Sequence, residues 1–100
     1  MIIGSTPTYT FTLPFTVDNI AEAKVTFSQG GVSVSKKFKD CTAAGNTLTV
    51  RLSQEDTLSF CDGLVEMQIK VLTKGGEALV SDVMYDQAPK CLDKEVLTNE

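Results

Sequence analysis

The chain has no histidine and no tryptophan, and only three prolines in 100 residues. Without imidazole it lacks the commonest general base, every Ser-His or Cys-His nucleophile pair and the ligand of most catalytic metal sites. Its three cysteines, Cys41, Cys61 and Cys91, are odd in number and show no C-x-x-C spacing. Neither a closed disulfide framework nor a zinc knuckle is indicated, and reduced thiols are expected. No apolar run approaches the ~20 residues that span a bilayer, because Glu, Lys, Gln or Thr interrupts each candidate. The opening "MIIGSTPTYTF" has neither the basic region nor the long apolar region of a secretory signal, so the chain is expected to be soluble and to stay where it is made.

Positive charge is scarce as well. The formal net charge is −4 and the isoelectric point is near 4.7, with Lys36, Lys37 and Lys39 the densest basic group. A nucleic-acid partner needs a basic footprint that releases counterions, and none is legible here. What the chain does have is apolar material, 42% of its residues at a mean hydropathy of +0.02. That is enough for the core of one domain.

The apolar residues recur with a period of two. In "YTFTL", Tyr9, Phe11 and Leu13 share one face; in "AEAKVTFS", Ala21, Ala23, Val25 and Phe27 do. Gln29-Gly30-Gly31 offers the positive φ of a tight hairpin, and "VSVSKKF" follows with Val32, Val34 and Phe38 on one side. A loop around Ala44, Gly45 and Asn46 leads to a strand with Leu48, Val50 and Leu52 inward. "LVEMQIKVL" sets Val65, Met67, Ile69 and Val71 against Glu66, Gln68 and Lys70. Lys74-Gly75-Gly76 then closes a second hairpin, and "ALVSDVMYD" returns with Leu79, Val83 and Tyr85 inward and Ser81 on the same face. Pro89 ends this return strand, since proline lacks a ladder donor.

"RLSQEDTLSFCDG" breaks the period. Ser53 suits an N-cap, Glu55 and Asp56 suit the positive end of a helical turn, and Leu58 and Phe60 can drop onto the core. Such a turn covers the open end of a sandwich where the chain crosses between sheets. The expected fold is therefore all-β, a single Ig-like antiparallel β-sandwich of six to seven strands with one short helical turn near residues 53–58. Less than about a tenth of the chain should be helical. Residues 1–89 form the sandwich, and 90–100 form a tail compatible with an edge strand, a short helix or a disordered end.

The order "LSQEDTLSFCDGLVEMQIKVLTKGGEALVSD" resembles the second half of the small N-terminal β-sandwich of baseplate upper proteins from tailed phages and prophages of Gram-positive bacteria. Leu52, Asp56, Thr57, Gly63, Gln68, Gly76 and Ser81 stand at the corresponding places. The first half shares a β-rich character and its opening strand. The resemblance implies a non-enzymatic structural or adaptor subunit of a tail or baseplate, made in the host cytoplasm and built into the virion. Baseplate upper proteins are usually longer, with a coiled-coil or receptor-facing region after the sandwich. The expected partners are other tail subunits or copies of the chain itself, with no cofactor, nucleic acid or membrane.

The residues favour binding over catalysis. Glu22 and Glu66 fall on solvent faces and Glu55 and Asp56 on the turn, with no spacing that forces two carboxylates into one cleft. Asp18, Asp62 and Asp86 are isolated acids without the spacing of a calcium loop. The alternative function is an Ig-like interaction or carbohydrate-binding module of a bacterial cell-surface assembly. Sugar sites stack their ligand on exposed aromatics, and most of the seven here fall on core faces. The candidate assembly surface is the edge strand "ALVSDVMYD" together with the tail residues Leu92, Val96 and Leu97.

Overall fold

An alternating strand buries one face only when a second layer covers it, and here two antiparallel sheets cover each other. The computed structural model describes residues 1–98; the last two positions of the expected 90–100 tail lie outside the described residues. The smaller sheet has the order β1 (Thr8–Thr12), β5 (Thr47–Arg51), β4 (Thr42–Ala44). The larger runs β3 (Val32–Lys37), β2 (Ile20–Gln29), β6 (Gly63–Thr73), and β7 (Ala78–Val80) and β8 (Met84–Ala88) both pair with β6. Their order is that of the B-E-D and C′-C-F-G sheets of an immunoglobulin sandwich, with no strand A among the described residues. The expected all-β sandwich is the fold of the chain.

Between the sheets lie the predicted inward sets. Val25 and Phe27 of β2, Val65, Met67, Ile69 and Val71 of β6, and Leu48, Val50 and Leu52 at β5 are all buried. Each large side chain removed from water in this way contributes about 1.5–3 kcal/mol. Tyr9 of β1 meets Phe27 of β2 across the layers, with ring centroids 5.3 Å apart and planes tilted by 50°.

Three expectations need correction. Ala21 is exposed, not inward, because the β2–β6 register shifts between Ile20 and Glu22 and Ile20 takes the core position. The return strand also reverses its face. Lys70 pairs with Val80, but Met67 pairs with Met84, so one extra residue is inserted around Asp82 and Val83. A single inserted residue exchanges the two faces of everything after it. Tyr85 and Val83 are therefore exposed, while Met84, Asp86 and Ala88 point in. Leu79, also expected inward, lies opposite Val71 ahead of the bulge but is exposed as well, because the three-residue β7 is the sheet's edge. Ser81 seals the bulge: its hydroxyl accepts from the Ile69 amide at 2.9 Å, and its carbonyl accepts from Gln68 Nε2 at 2.9 Å. The third correction is the strand count. The split return strand and the short β4, expected as loop, raise it to eight.

The chain changes sheet between β1 and β2, between β3 and β4, and between β5 and β6. Each crossing carries a helical turn: 3-10 turns at Val17–Asn19 and Phe38–Asp40, and the helix α1 (Gln54–Leu58). The two unexpected 3-10 turns bring the helical share to 11%, just above the expected tenth.

α1 is the best secured of the three. Ser53 Oγ accepts from the Asp56 amide at 3.1 Å while Asp56 Oδ2 accepts from the Ser53 amide at 2.9 Å, a reciprocal capping box. Phe60 is buried, as expected, and Leu58 packs half-buried against the core. Thr57, fully buried, accepts from the Gly4 amide at 2.9 Å and donates to the Ser5 carbonyl at 2.9 Å through one hydroxyl. That hydroxyl ties the N-terminal segment, whose Met1 and Ile3 are buried, to the crossing.

Thr57→Val keeps the shape and strands two backbone polar groups. It should cost about 2–3 kcal/mol in urea unfolding, against about 1 kcal/mol for Thr57→Ser, which keeps the hydroxyl. A smaller loss for Thr57→Val than for Thr57→Ser would show that the methyl, not the hydroxyl, is what matters.

Candidate functional site

A sheet margin offers a partner whatever its outward side chains and free backbone allow. Along β6 the outward set is Leu64, Glu66, Gln68, Lys70 and Leu72, polar in the middle and apolar at both ends. Leu64 and Leu72 are exposed, and so are Leu79, Val80, Val83 and Tyr85 on the neighbouring β7–β8 edge. Six of the ten exposed large apolar side chains of the described residues thus lie on this margin. Both Val80 (57% exposed) and Tyr85 (61%) owe their position to the strand register, Val80 opposite Lys70 and Tyr85 opposite Glu66.

The predicted tail residues stand apart from most of this margin. After Pro89 the chain turns to α1, where the Gln54 side chain donates to the Leu97 carbonyl at 2.8 Å and accepts from the Leu97 amide at 2.9 Å. Cys91 packs half-buried against the core close to Gly4. Between these two anchors Leu92 is 92% exposed; Leu97 is 69% exposed and Val96 half-buried. The tail is thus neither a strand nor a helix over its described residues.

A second feature is electrostatic. Lys37, Lys24 and Lys70 stand abreast on β3, β2 and β6, each in direct cross-strand register with the next. Like charges so placed repel. With Lys39 they flank an open groove of about 660 Å³ beside β2, whose apolar lining includes Phe38 and Leu72. The groove thus gathers four of the nine cationic side chains of an acidic protein. Neither ion pair among the described residues uses any of these four. Lys36, by contrast, reaches Asp56 of α1 at 2.8 Å.

The three acids weighed for calcium do not gather. Asp18 sits in a 3-10 turn and Asp62 before β6. Asp86 accepts from the Tyr9 hydroxyl and from the Met1 amino group, both at 2.6 Å. Burial alone would raise the Asp86 carboxyl, but these two donors and the ammonium charge outweigh it and hold the pKa below the usual carboxylate value. Asp56 is also held low: burial opposes its ionisation, and the Lys36 ammonium with the Ser53 donors prevails. Burial, then the bond to Asp86, pushes the Tyr9 hydroxyl far up. Cys41, Cys61 and Cys91 are free, and burial followed by the Asp40 charge pushes the Cys41 thiol up, away from a thiolate. Of the seven aromatics only Tyr85 is exposed, which gives a sugar ring one platform.

No family model matches the chain, and neither a curated protein nor a solved structure is significantly similar to it. The described residues present an apolar margin, a projecting leucine and a basic groove at the surface. The margin was legible in part. Outward Leu64 and Leu72 break the polar face of their own strand, a signal available to a reading of both parities. The lysine row was not legible, because its members are brought together only by strand pairing.

Two tests follow from these charges. Lys24 is the middle of the row, so Lys24→Glu should stabilise the fold by about 0.5–1 kcal/mol at low salt, an effect that shrinks as salt is added. A destabilised variant would show that the lysines are not in conflict. For pH, Asp86 and Asp56 have folded pKa values below their unfolded ones. Their contribution is therefore complete above about pH 5 and is lost as pH falls below about 4. Tyr9 acts at the other end, with stability lost above about pH 10, where only the unfolded chain readily ionises it. Urea midpoints across pH should show both declines, and Asp86→Asn should flatten the acid one.

Proposed function

We propose that the chain is a non-enzymatic structural or adaptor subunit that works by protein–protein assembly, in a phage or prophage tail of the baseplate kind its residues 52–82 resemble. The observation that carries the reading is the concentration of exposed apolar side chains on the β6–β8 margin. Exposed Leu, Val and Tyr gathered on one margin of a small domain mark an interaction surface, whereas the same residues scattered singly would mean little. The margin also ends the larger sheet, so β7 and β8 have free backbone groups on one side for an added strand. The bulge at Asp82 and Val83 limits any added strand to one of the two short segments. Side-chain burial would then supply most of the remaining contact.

The resemblance adds the setting. In the phage domains a turn carrying a D-T pair precedes the long strand, and here Asp56 closes the capping box while Thr57 ties the turn to the N-terminal segment. A stable contact needs at least ~1,000 Å² of total buried area, which the margin can supply only together with flanking side chains. Light scattering over a concentration series, alone and with the products of neighbouring genes, tests the reading. Full-length chain should form complexes, and Val80→Lys with Tyr85→Lys should weaken them about tenfold or more while the far-ultraviolet spectrum stays that of a β protein. A chain that stays monomeric and binds no neighbouring product would sink the assembly reading.

A further inference from the structure

Resting on that reading, we infer that one chain docks the Leu92–Glu95 knob of its tail into the lysine groove of a second copy, so that subunits join head to tail. The knob is built to project. Cys91 fixes its start, with Sγ donating to the Asp93 carbonyl at 2.9 Å, and the doubly bonded Leu97 main chain fixes its end. Within it the Glu95 amide donates to Asp93 Oδ1 at 2.9 Å, which stiffens the loop. Its side chains run Leu, Asp, Lys, Glu, an apolar tip followed by charges of alternating sign. An anchored loop loses less conformational freedom on docking than a free tail.

The groove has the complementary pattern. Lys24, Lys37 and Lys70 face Asp93 and Glu95 in sign, and Glu22 in the same groove suits Lys94. Phe38 and Leu72 give the tip an apolar floor. One wall is also open backbone: pairing with β3 begins only at Lys24, so residues 21–23 of β2 have no partner on that side. An anionic polymer would use the lysines but neither the apolar floor nor the backbone wall, and Glu22 would repel it. A peptide with the composition of the knob uses all of them. An incoming carboxylate also relieves the repulsion within the lysine row.

The same chain cannot make this contact with itself. Ala88, where β8 gives way to the tail, pairs with Gly63 at the start of β6, whereas Leu72 of the groove lies nine residues farther along that strand. At 3.2–3.4 Å per residue the separation is about 30 Å. Knob and groove are different surfaces, so a contact made once between two copies leaves a free knob and a free groove and propagates as a ring or an open string, whereas a reciprocal pair of contacts closes a two-fold dimer.

The test is a charge exchange read by sedimentation velocity at low salt, with circular dichroism and urea midpoints confirming that each variant folds. Lys24→Glu with Lys70→Glu should weaken self-association about tenfold or more, and so should Glu95→Lys. Joining Lys70→Glu to Glu95→Lys in one chain should bring association back to within about threefold of the parent. Leu92→Ala should weaken it without changing its salt dependence. If association is unaffected by the charge variants but lost in Val80→Lys, the knob-and-groove contact is wrong while the assembly reading stands. If polyphosphate binds the parent chain, is lost in the lysine variants, and self-association is unchanged, the groove is a polyanion site instead and the inference is overturned. A parent chain that stays monomeric throughout overturns it too, and the assembly reading is then judged separately on binding to neighbouring gene products.

Discussion

Two sheets stacked about 10 Å apart can be built from one chain only if the chain crosses the gap, and much of this fold answers to that constraint. Here it crosses between β1 and β2, β3 and β4, and β5 and β6. A helical turn rises only about 1.5 Å per residue and satisfies some of its own backbone groups, so it reverses the chain's course without leaving polar groups bare over the core. The last crossing bears the most weight. It launches β6, the strand that pairs with β2, β7 and β8, and it is held by the Thr57 hydroxyl and by Gln29, whose side-chain amide grips the Cys61 backbone at 2.7 and 2.8 Å.

The two bulges show how the margins are shaped. On β2 an extra residue moves Ala21 out and brings Ile20 in, which preserves the core where β6 ends. On the return strand an extra residue exchanges faces between β7 and β8, and its cost in lost ladder bonds is offset by Ser81 and Gln68. The consequence reaches function. Because the faces exchange there, Asp86 is turned inward to meet Tyr9 and Met1, and Tyr85 is turned outward onto the margin.

Charge follows the same logic of placement. An acidic protein would gain little from spreading its few lysines evenly, and this one sets three in a row on a sheet face where they repel. The two half-buried carboxylates among the described residues, in contrast, are each given donors: Asp56 those of Lys36 and Ser53, Asp86 those of Met1 and Tyr9. Unrelieved charge therefore sits at the surface, where a partner can meet it, and relieved charge sits where the fold depends on it.

The sequence by itself determined the class of fold, the inward sets of β2, β5 and β6 apart from Ala21, the two glycine hairpins and the capped turn at Ser53. These depend on local rules, since a strand's period of two, a cap's spacing and a glycine's freedom at positive φ are properties of a few neighbouring residues. Gly30, at φ +58°, is such a case. Only the tertiary structure decided the faces of β8, the place of the tail against Gln54, and the alignment of Lys24, Lys37 and Lys70. Lys24 and Lys37 share a hairpin, but Lys70 joins them, β8 takes its face and the tail finds its seat only through register or contacts that are not local. A shift of one residue changes register completely while leaving every local pattern as it was, so no local pattern can reveal it.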